Sequence, residues 1–210
     1  MLRMLRAVTM LSGLSGLSGM RRHASHLAAF ALIACAGAPV AQAFDAGGQA
    51  LAAQGTLEAA FTPGDDIEGL LTAAVDQARR QVLVQAYILT SKPLTTSLIA
   101  ARKRGVDVRV LVDAGQLNKL GHERVAAMLA AGVTVREETR YKSAHNKVIV
   151  IDAAGAGATV ITGSYNFTWS AQNKNAENIL IARKNPPLAA KYAANWMRHF
   201  EEAEAYRADR

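Results

Sequence analysis

Residues 81–112 read QVLVQAYILTSKPLTTSLIAARKRGVDVRVLV. Gln81 to Leu89 has strand character, Thr95 to Arg104 keeps helical spacing, and Val106 to Val112 is a β-branched run that ends at Asp113. Gly105 separates the last two, and glycine readily takes the left-handed conformation that stops a helix. Strand, helix and strand with short connectors form a unit in which the helix covers one face of a sheet.

The same alternation extends in both directions. Upstream, Asp65 and Asp66 follow Pro63-Gly64 as cap residues for a helix whose apolar positions are Ile67, Leu70, Leu71, Ala74 and Val75. Downstream, a helix over about His122 to Ala131 stops at Gly132, and a strand covers Val133 to Arg136. Strands are then expected over Lys147–Ile151, Thr159–Thr162 and Ala176–Ala182, the first two joined by a Gly/Ala-rich connector. Pro186 or Pro187 opens a last helix, whose stripe of Leu188, Tyr192, Trp196 and Phe200 reads as core. The expected fold is α/β: one domain per chain, with a mixed, largely parallel β-sheet flanked by helices.

Half of the 210 residues are hydrophobic and a fifth are charged, which excludes a disordered or collagen-like chain. The net charge of +7 is unevenly spread. Residues 1–43 hold Arg3, Arg6, Arg21 and Arg22 and no acid, which leaves 20 basic against 17 acidic residues elsewhere. Charge alone is therefore a weak argument for a polyanionic partner. Residues 1–43 read as a leader: Met20-Arg21-Arg22-His23 is a basic opening, Leu27 to Val40 a short apolar run, and Ala41-Gln42-Ala43 a cleavage pattern before Phe44. A start at Met20 gives that leader an ordinary length, and the expected location is periplasmic or secreted. The alternative is acylation of Cys35 in Leu32-Ile33-Ala34-Cys35, giving a membrane-anchored form. Cleavage after Ala43 removes the only cysteine, so neither a disulfide nor a thiolate site is available afterwards. Residues 44–55 are expected to be a flexible arm and 56–210 the folded domain.

The chemistry concentrates in His145-Asn146-Lys147-Val148-Ile149-Val150-Ile151-Asp152. Two residues apart on a strand, His145 and Lys147 project from one face, setting a nucleophile or proton carrier beside a fixed positive charge. Asp152 lies at the strand's far end and is expected to hold local structure. Ser164 and Asn166, in Gly163-Ser164-Tyr165-Asn166, also share a face, and hairpin pairing of the two strands would let them converge with His145 and Lys147. Arg140, Tyr141 and Lys142 offer cations and a ring to a nucleic-acid backbone and base, or form a solvated loop. Phe167 and Trp169 either flank the cleft or pack beneath it, and packing is the expectation.

His-x-Lys-x4-Asp followed by Gly-Ser-x-Asn resembles the signature of the phospholipase D superfamily. The chain is similar to its small bacterial endonucleases, exported enzymes with one such motif. The likeness extends to Arg104-Gly-Val-Asp-Val108, Thr162-Gly-Ser-Tyr-Asn-Phe-Thr168 and Asn173-Lys-Asn-Ala-Glu-Asn178, and runs from about Phe61 to the last helix. The longer connector after Asp152 is a departure, in a turn where insertion is cheap.

The resemblance implies a two-step phosphodiester exchange through a phosphohistidine, with one histidine as nucleophile and a second as general acid and then base. It implies that Lys147 and Asn166 hold the nonbridging oxygens, and that Glu177 binds the ring N–H of His145 and orients it. Two His-x-Lys units are needed and this chain has one, because His23, His26, His122 and His199 lack a lysine two residues on. A twofold homodimer supplies the second. No cofactor or metal is expected, since lysine and protonated histidine bring the positive charge. The expected substrate is DNA, with RNA second, read without sequence preference and with no stable membrane partner once the leader is cleaved. The alternatives are a lipid phosphodiesterase or phosphatidyl-transfer enzyme, and a catalytically silent nucleic-acid-binding protein.

Overall fold

A computed structural model of the chain describes residues 48 and 50–208. The leader, the Cys35 alternative and residues 44–47 and 49 of the arm therefore lie outside the described residues. The first element is β1 (Thr56–Thr62), followed by α1 (Ile67–Asp76), β2 (Gln81–Ala86), α2 (Lys92–Lys103) and β3 (Asp107–Asp113). Then come α3 (Lys119–Ala130), β4 (Thr134–Glu138), β5 (Lys147–Ile151) and β6 (Thr159–Gly163). A short α4 (Trp169–Asn173), β7 (Glu177–Arg183), α5 (Pro186–Glu202) and a two-residue β8 (Glu204–Ala205) complete the chain.

The helix starts follow from short polar side chains that satisfy otherwise orphaned N–H groups. Asp66 accepts from the Gly69 N–H at 2.9 Å and so opens α1. Ser91 accepts from Leu94 N–H at 3.0 Å, so α2 begins at Lys92, earlier than Thr95, with Pro93 tolerated in the first turn. Asn118 does the same for α3 through the Gly121 N–H, and Asn185 for α5 through the Leu188 N–H. Gly105 ends α2 at φ +90°, the conformation that motivates a glycine there.

The eight strands form one sheet in the order β1-β7-β6-β5-β2-β3-β4-β8. The fold is mixed α/β, but the balance of strand directions corrects the expectation of a largely parallel sheet. Only β2–β3 and β3–β4 are parallel, while β1–β7, β7–β6, β6–β5, β5–β2 and β4–β8 are antiparallel. The physical reason is the connections. α2 and α3 carry the chain back along the sheet before the next strand, whereas the 152–158 connector is a turn and reverses direction at once. β1 and β8, neither expected from sequence, add further antiparallel neighbours.

α1, α2 and α3 cover one face, with Ile67, Leu71, Leu98, Val110, Ile149 and Ile181 in its core. α5 covers the other, setting Trp196 and Phe200 against Leu83, Leu111, Val150 and Val160. The Trp196 indole N–H donates to the Val84 carbonyl at 2.9 Å, so its one polar atom is paired although the side chain is buried. The stripe on α5 is thus core. Gly48 to Arg210 make up one compact unit. Among the described residues no helix is long and apolar enough to cross a membrane.

Candidate active site

All five residues of β5 are buried, and the strand lies between β2 and β6 near the middle of the sheet. Its N-terminal end meets the C-terminal end of β2, with Lys147 opposite Ala86. Parity turns Lys147, Ile149 and Ile151 toward the face of α1–α3, and Val148 and Val150 toward α5. His145 precedes the strand and is exposed. The Lys147 Nζ lies 3.1 Å from His145 Nδ1 and 3.1 Å from the His145 carbonyl oxygen. The structure therefore brings these two side chains together. Burial pushes the Lys147 ammonium below the ordinary lysine range, and the nearby Glu177 carboxylate partly opposes this.

Tyr87, which sequence reading passed over, completes the cluster. Its ring centroid is 4.2 Å from that of His145, and the Lys147 Nζ is 4.6 Å from it. The Tyr87 N–H donates to the Asn146 carbonyl at 2.8 Å, which continues the β2–β5 pairing past the strand ends. Asp113, at the end of β3, is a second omission. Its buried carboxylate accepts the Ala144 N–H at 2.5 Å and the Gly115 N–H at 2.9 Å, and so fixes the residue before His145. Both become visible only through strand pairing, since each lies more than thirty residues from Ala144 or His145 along the chain.

Gly163-Ser164 closes the site from the β6 side. A Cβ at Gly163 would collide with the Asn178 carbonyl oxygen and sit 2.8 Å from the Ile179 Cα, so β6 and β7 approach closely only around glycine. The Ser164 hydroxyl donates to Glu177 Oε2 at 2.6 Å and accepts from the Asn178 N–H at 3.1 Å. Glu177 Oε1 accepts from Asn175 Nδ2 at 2.8 Å. Glu177 thus ties Ser164 and Asn175 together, and the group beside His145 Nδ1 is Lys147. Ser164 is exposed and works as a tie between strands. The hairpin register sets Val148 opposite Thr162, and beyond Gly163 the chain leaves the sheet.

Asn166 follows in that loop. Its Oδ1 is buried and makes no hydrogen bond to the described residues. An unpaired buried acceptor is costly, which sets Asn166 apart from the paired polar groups around it. Phe167 is 2% exposed and packs in the core, whereas Trp169 is 61% exposed, against the expectation that both pack.

Asp152 stands at the opposite end of β5 from His145. Its carboxylate accepts the N–H groups of Arg79 at 3.0 Å, Arg80 at 2.7 Å and Gln81 at 2.9 Å, with its own backbone at φ +50°. It clamps the start of β2 to the end of β5. Arg140 pairs with Glu202 at 3.4 Å, an exposed and weak contact. Lys142 is exposed. Among the described residues no group of three or more His, Cys, Asp and Glu side chains is placed to hold a metal ion.

Comparison with known proteins accords with this arrangement. A family model described as cardiolipin synthase, PLD-like domain, matches residues 71–202. A protein of Rickettsia prowazekii named phospholipase D is 38% identical over 136 residues, covering 65% of this chain and 63% of the relative. The mitochondrial cardiolipin hydrolase of Xenopus laevis is 31% identical over 125 residues, 60% of this chain and 57% of that one. The chain thus spans less than two thirds of the length of these curated relatives. Among solved structures, Nuc of Salmonella typhimurium, described as a phospholipase D family member, matches with a TM-score of 0.68 at 29% identity, over 72% of this chain and 98% of that one.

Proposed function

Since this chain belongs to the phospholipase D superfamily, we propose that it is a phosphodiesterase, and specifically an endonuclease that hydrolyses DNA without sequence preference. The observation that carries the proposal is the exposed His145 ring held between the Lys147 ammonium and the Tyr87 face. Cationic and aromatic side chains follow on either side in sequence: Arg140, Tyr141 and Lys142 before the histidine, Trp169 and Lys174 after Asn166. That composition suits a phosphate chain with bases better than a funnel for acyl chains.

In the proposed reaction a His145 nitrogen attacks phosphorus in line, a P–N bond forms and the P–O bond to the departing sugar oxygen breaks. A second, protonated histidine gives its proton to that oxygen. Water then attacks the phosphohistidine, its proton passes to the second histidine, and the P–N bond breaks. With Nδ1 turned to Lys147, Nε2 is the nitrogen that has no partner among the described residues. For Nε2 to present a lone pair the ring proton must sit on Nδ1. The ammonium, itself a donor, then keeps only its bond to the His145 carbonyl. The Lys147 charge and the Asn166 Nδ2 donor serve the nonbridging oxygens, where negative charge grows. The second histidine is His145 of another copy, in a homodimer that acts outside the cytoplasm after removal of residues 1–43.

A second reading, a lipid phosphodiesterase, draws on the names of the Rickettsia and Xenopus relatives. One experiment separates the two. Purified protein in EDTA is incubated with plasmid DNA and, separately, with phospholipid vesicles. Nicking of the plasmid is expected. Headgroup release without nicking favours the lipid enzyme, and DNA binding with neither product overturns both.

A further inference from the structure

Resting on the nuclease reading, we infer that Trp169 and Lys174 form a base-stacking subsite beside the phosphate position, one that takes an unpaired nucleobase of the substrate strand. The chain has two tryptophans, and they differ sharply. Trp196 is 1% exposed under α5, whereas Trp169 is 61% exposed. A large aromatic left in water on a rigid frame is a ready contact surface.

The frame is rigid. The Thr168 hydroxyl caps α4 by accepting the Ala171 N–H at 3.1 Å, and the Ala171 carbonyl accepts the Thr62 hydroxyl at 3.1 Å. Gln172 accepts the Glu68 N–H and donates to the Asp65 carbonyl, both at 3.0 Å. Asn173 Nδ2 donates to the Trp169 carbonyl at 2.9 Å. α4 is thereby fixed to β1 and to the start of α1. The Lys174 Nζ lies 5.7 Å from the Trp169 ring centroid and adds a cation at the platform.

Position and chemistry select the occupant. Trp169 is three residues beyond Asn166, so its Cα lies within about 11 Å of the Asn166 Cα. That is the reach of a neighbouring nucleotide. The exposed residues next to Trp169 on α4 and just beyond it, Ser170, Asn173 and Lys174, are all polar, and the exposed Phe61 lies on β1, to which α4 is tied, so the vesicle arm of the test below decides against a bilayer contact. A flat indole with an adjacent cation matches a nucleobase and the phosphate linked to it. Bases in a duplex have their faces covered by stacking, so only an unpaired base can occupy the site. The subsite therefore favours single-stranded DNA, or strands with frayed ends.

The test uses the full chain. Because Trp196 is buried, the solvent-exposed indole emission reports Trp169. Titrating the His145→Ala protein with a single-stranded oligodeoxynucleotide is expected to quench that emission saturably, and the matching duplex to quench it less. In the active protein, Trp169→Leu is expected to raise KM for the single strand about tenfold, more than it lowers kcat, and Trp169→Phe to restore most of the loss. A blue shift with anionic phospholipid vesicles but no quenching by oligonucleotide would mean a membrane contact and overturn the inference. So would a blue shift that depends on protein concentration alone, which would mean a second copy covers the indole. Unchanged KM in Trp169→Leu sinks the stacking subsite and leaves the nuclease reading intact. Failure of the wild-type protein to cut any DNA sinks the nuclease reading itself.

Discussion

Replacing Asp152 separates a structural aspartate from a chemical one. Its carboxylate holds three consecutive N–H groups, those of Arg79, Arg80 and Gln81, from a backbone at φ +50°. Each bond is partly hydrated and contributes about 1 kcal/mol net, and a left-handed alanine costs about 1 kcal/mol more. Asp152→Ala is therefore expected to lose about 3–4 kcal/mol, which for a domain of this size lowers Tm by roughly 10 °C. Asp152→Asn tolerates the same backbone and keeps the oxygen that serves Arg80 and Gln81, but turns an N–H₂ toward the Arg79 N–H. About 1–2 kcal/mol is expected there. The assay is urea denaturation of both variants, with phosphodiester hydrolysis measured per folded molecule at a temperature where both remain native. Activity per folded molecule should stay within about threefold of wild type, a limit of roughly 0.6 kcal/mol on any change in barrier height. A stable Asp152→Asn protein that has lost turnover would refute this reasoning and put the aspartate into the chemistry.

Tyr87→Leu removes the ring beside a buried ammonium at a cost of about 1–2 kcal/mol to its charged form, so Lys147, already titrating below ordinary lysine because of burial, titrates lower still. Substrate binding should then weaken at a lower pH as pH rises. NMR titration of the lysine resonances reads the shift, and Tyr87→Phe should show none. Gly163→Ala forces β6 from β7 and is expected to destabilise by about 1–3 kcal/mol in urea, while an unaffected midpoint contradicts the strand register. Randomly mixed equal amounts of wild-type and His145→Ala chains should retain about a quarter of the activity if both copies share one site. Retention of half would mean that each chain works alone.

The parts of the fold legible in the sequence are those with local causes. Asp66 announces α1, and Lys147–Ile151 is a strand because four consecutive branched residues follow the lysine. β1 was not legible, because Thr56–Thr62 becomes a strand by pairing with Glu177–Arg183, more than a hundred residues away. α4 is only five residues long and has no periodicity to read. At the site, His145, Lys147 and Asn166 stand out by spacing. Tyr87 and Asp113 do not, because their relevance depends on the register of β2 against β5 and on the fold of the loop before His145. The relation of Glu177 to Ser164 likewise depends on how closely β6 approaches β7 at Gly163.

The antiparallel seating of β5 between β2 and β6 has a temporal consequence. Val82 finds Ile151 and Thr56 finds Arg183 only after long intervening stretches of chain have been made. Distant pairings of this sort slow folding, because loops must close before contacts reward them. A growing polypeptide released segment by segment has no working centre until its last strands emerge, so truncation before β7 leaves no partly competent fragment. Assembly of the site therefore waits on the strand that carries Glu177 and closes against Gly163.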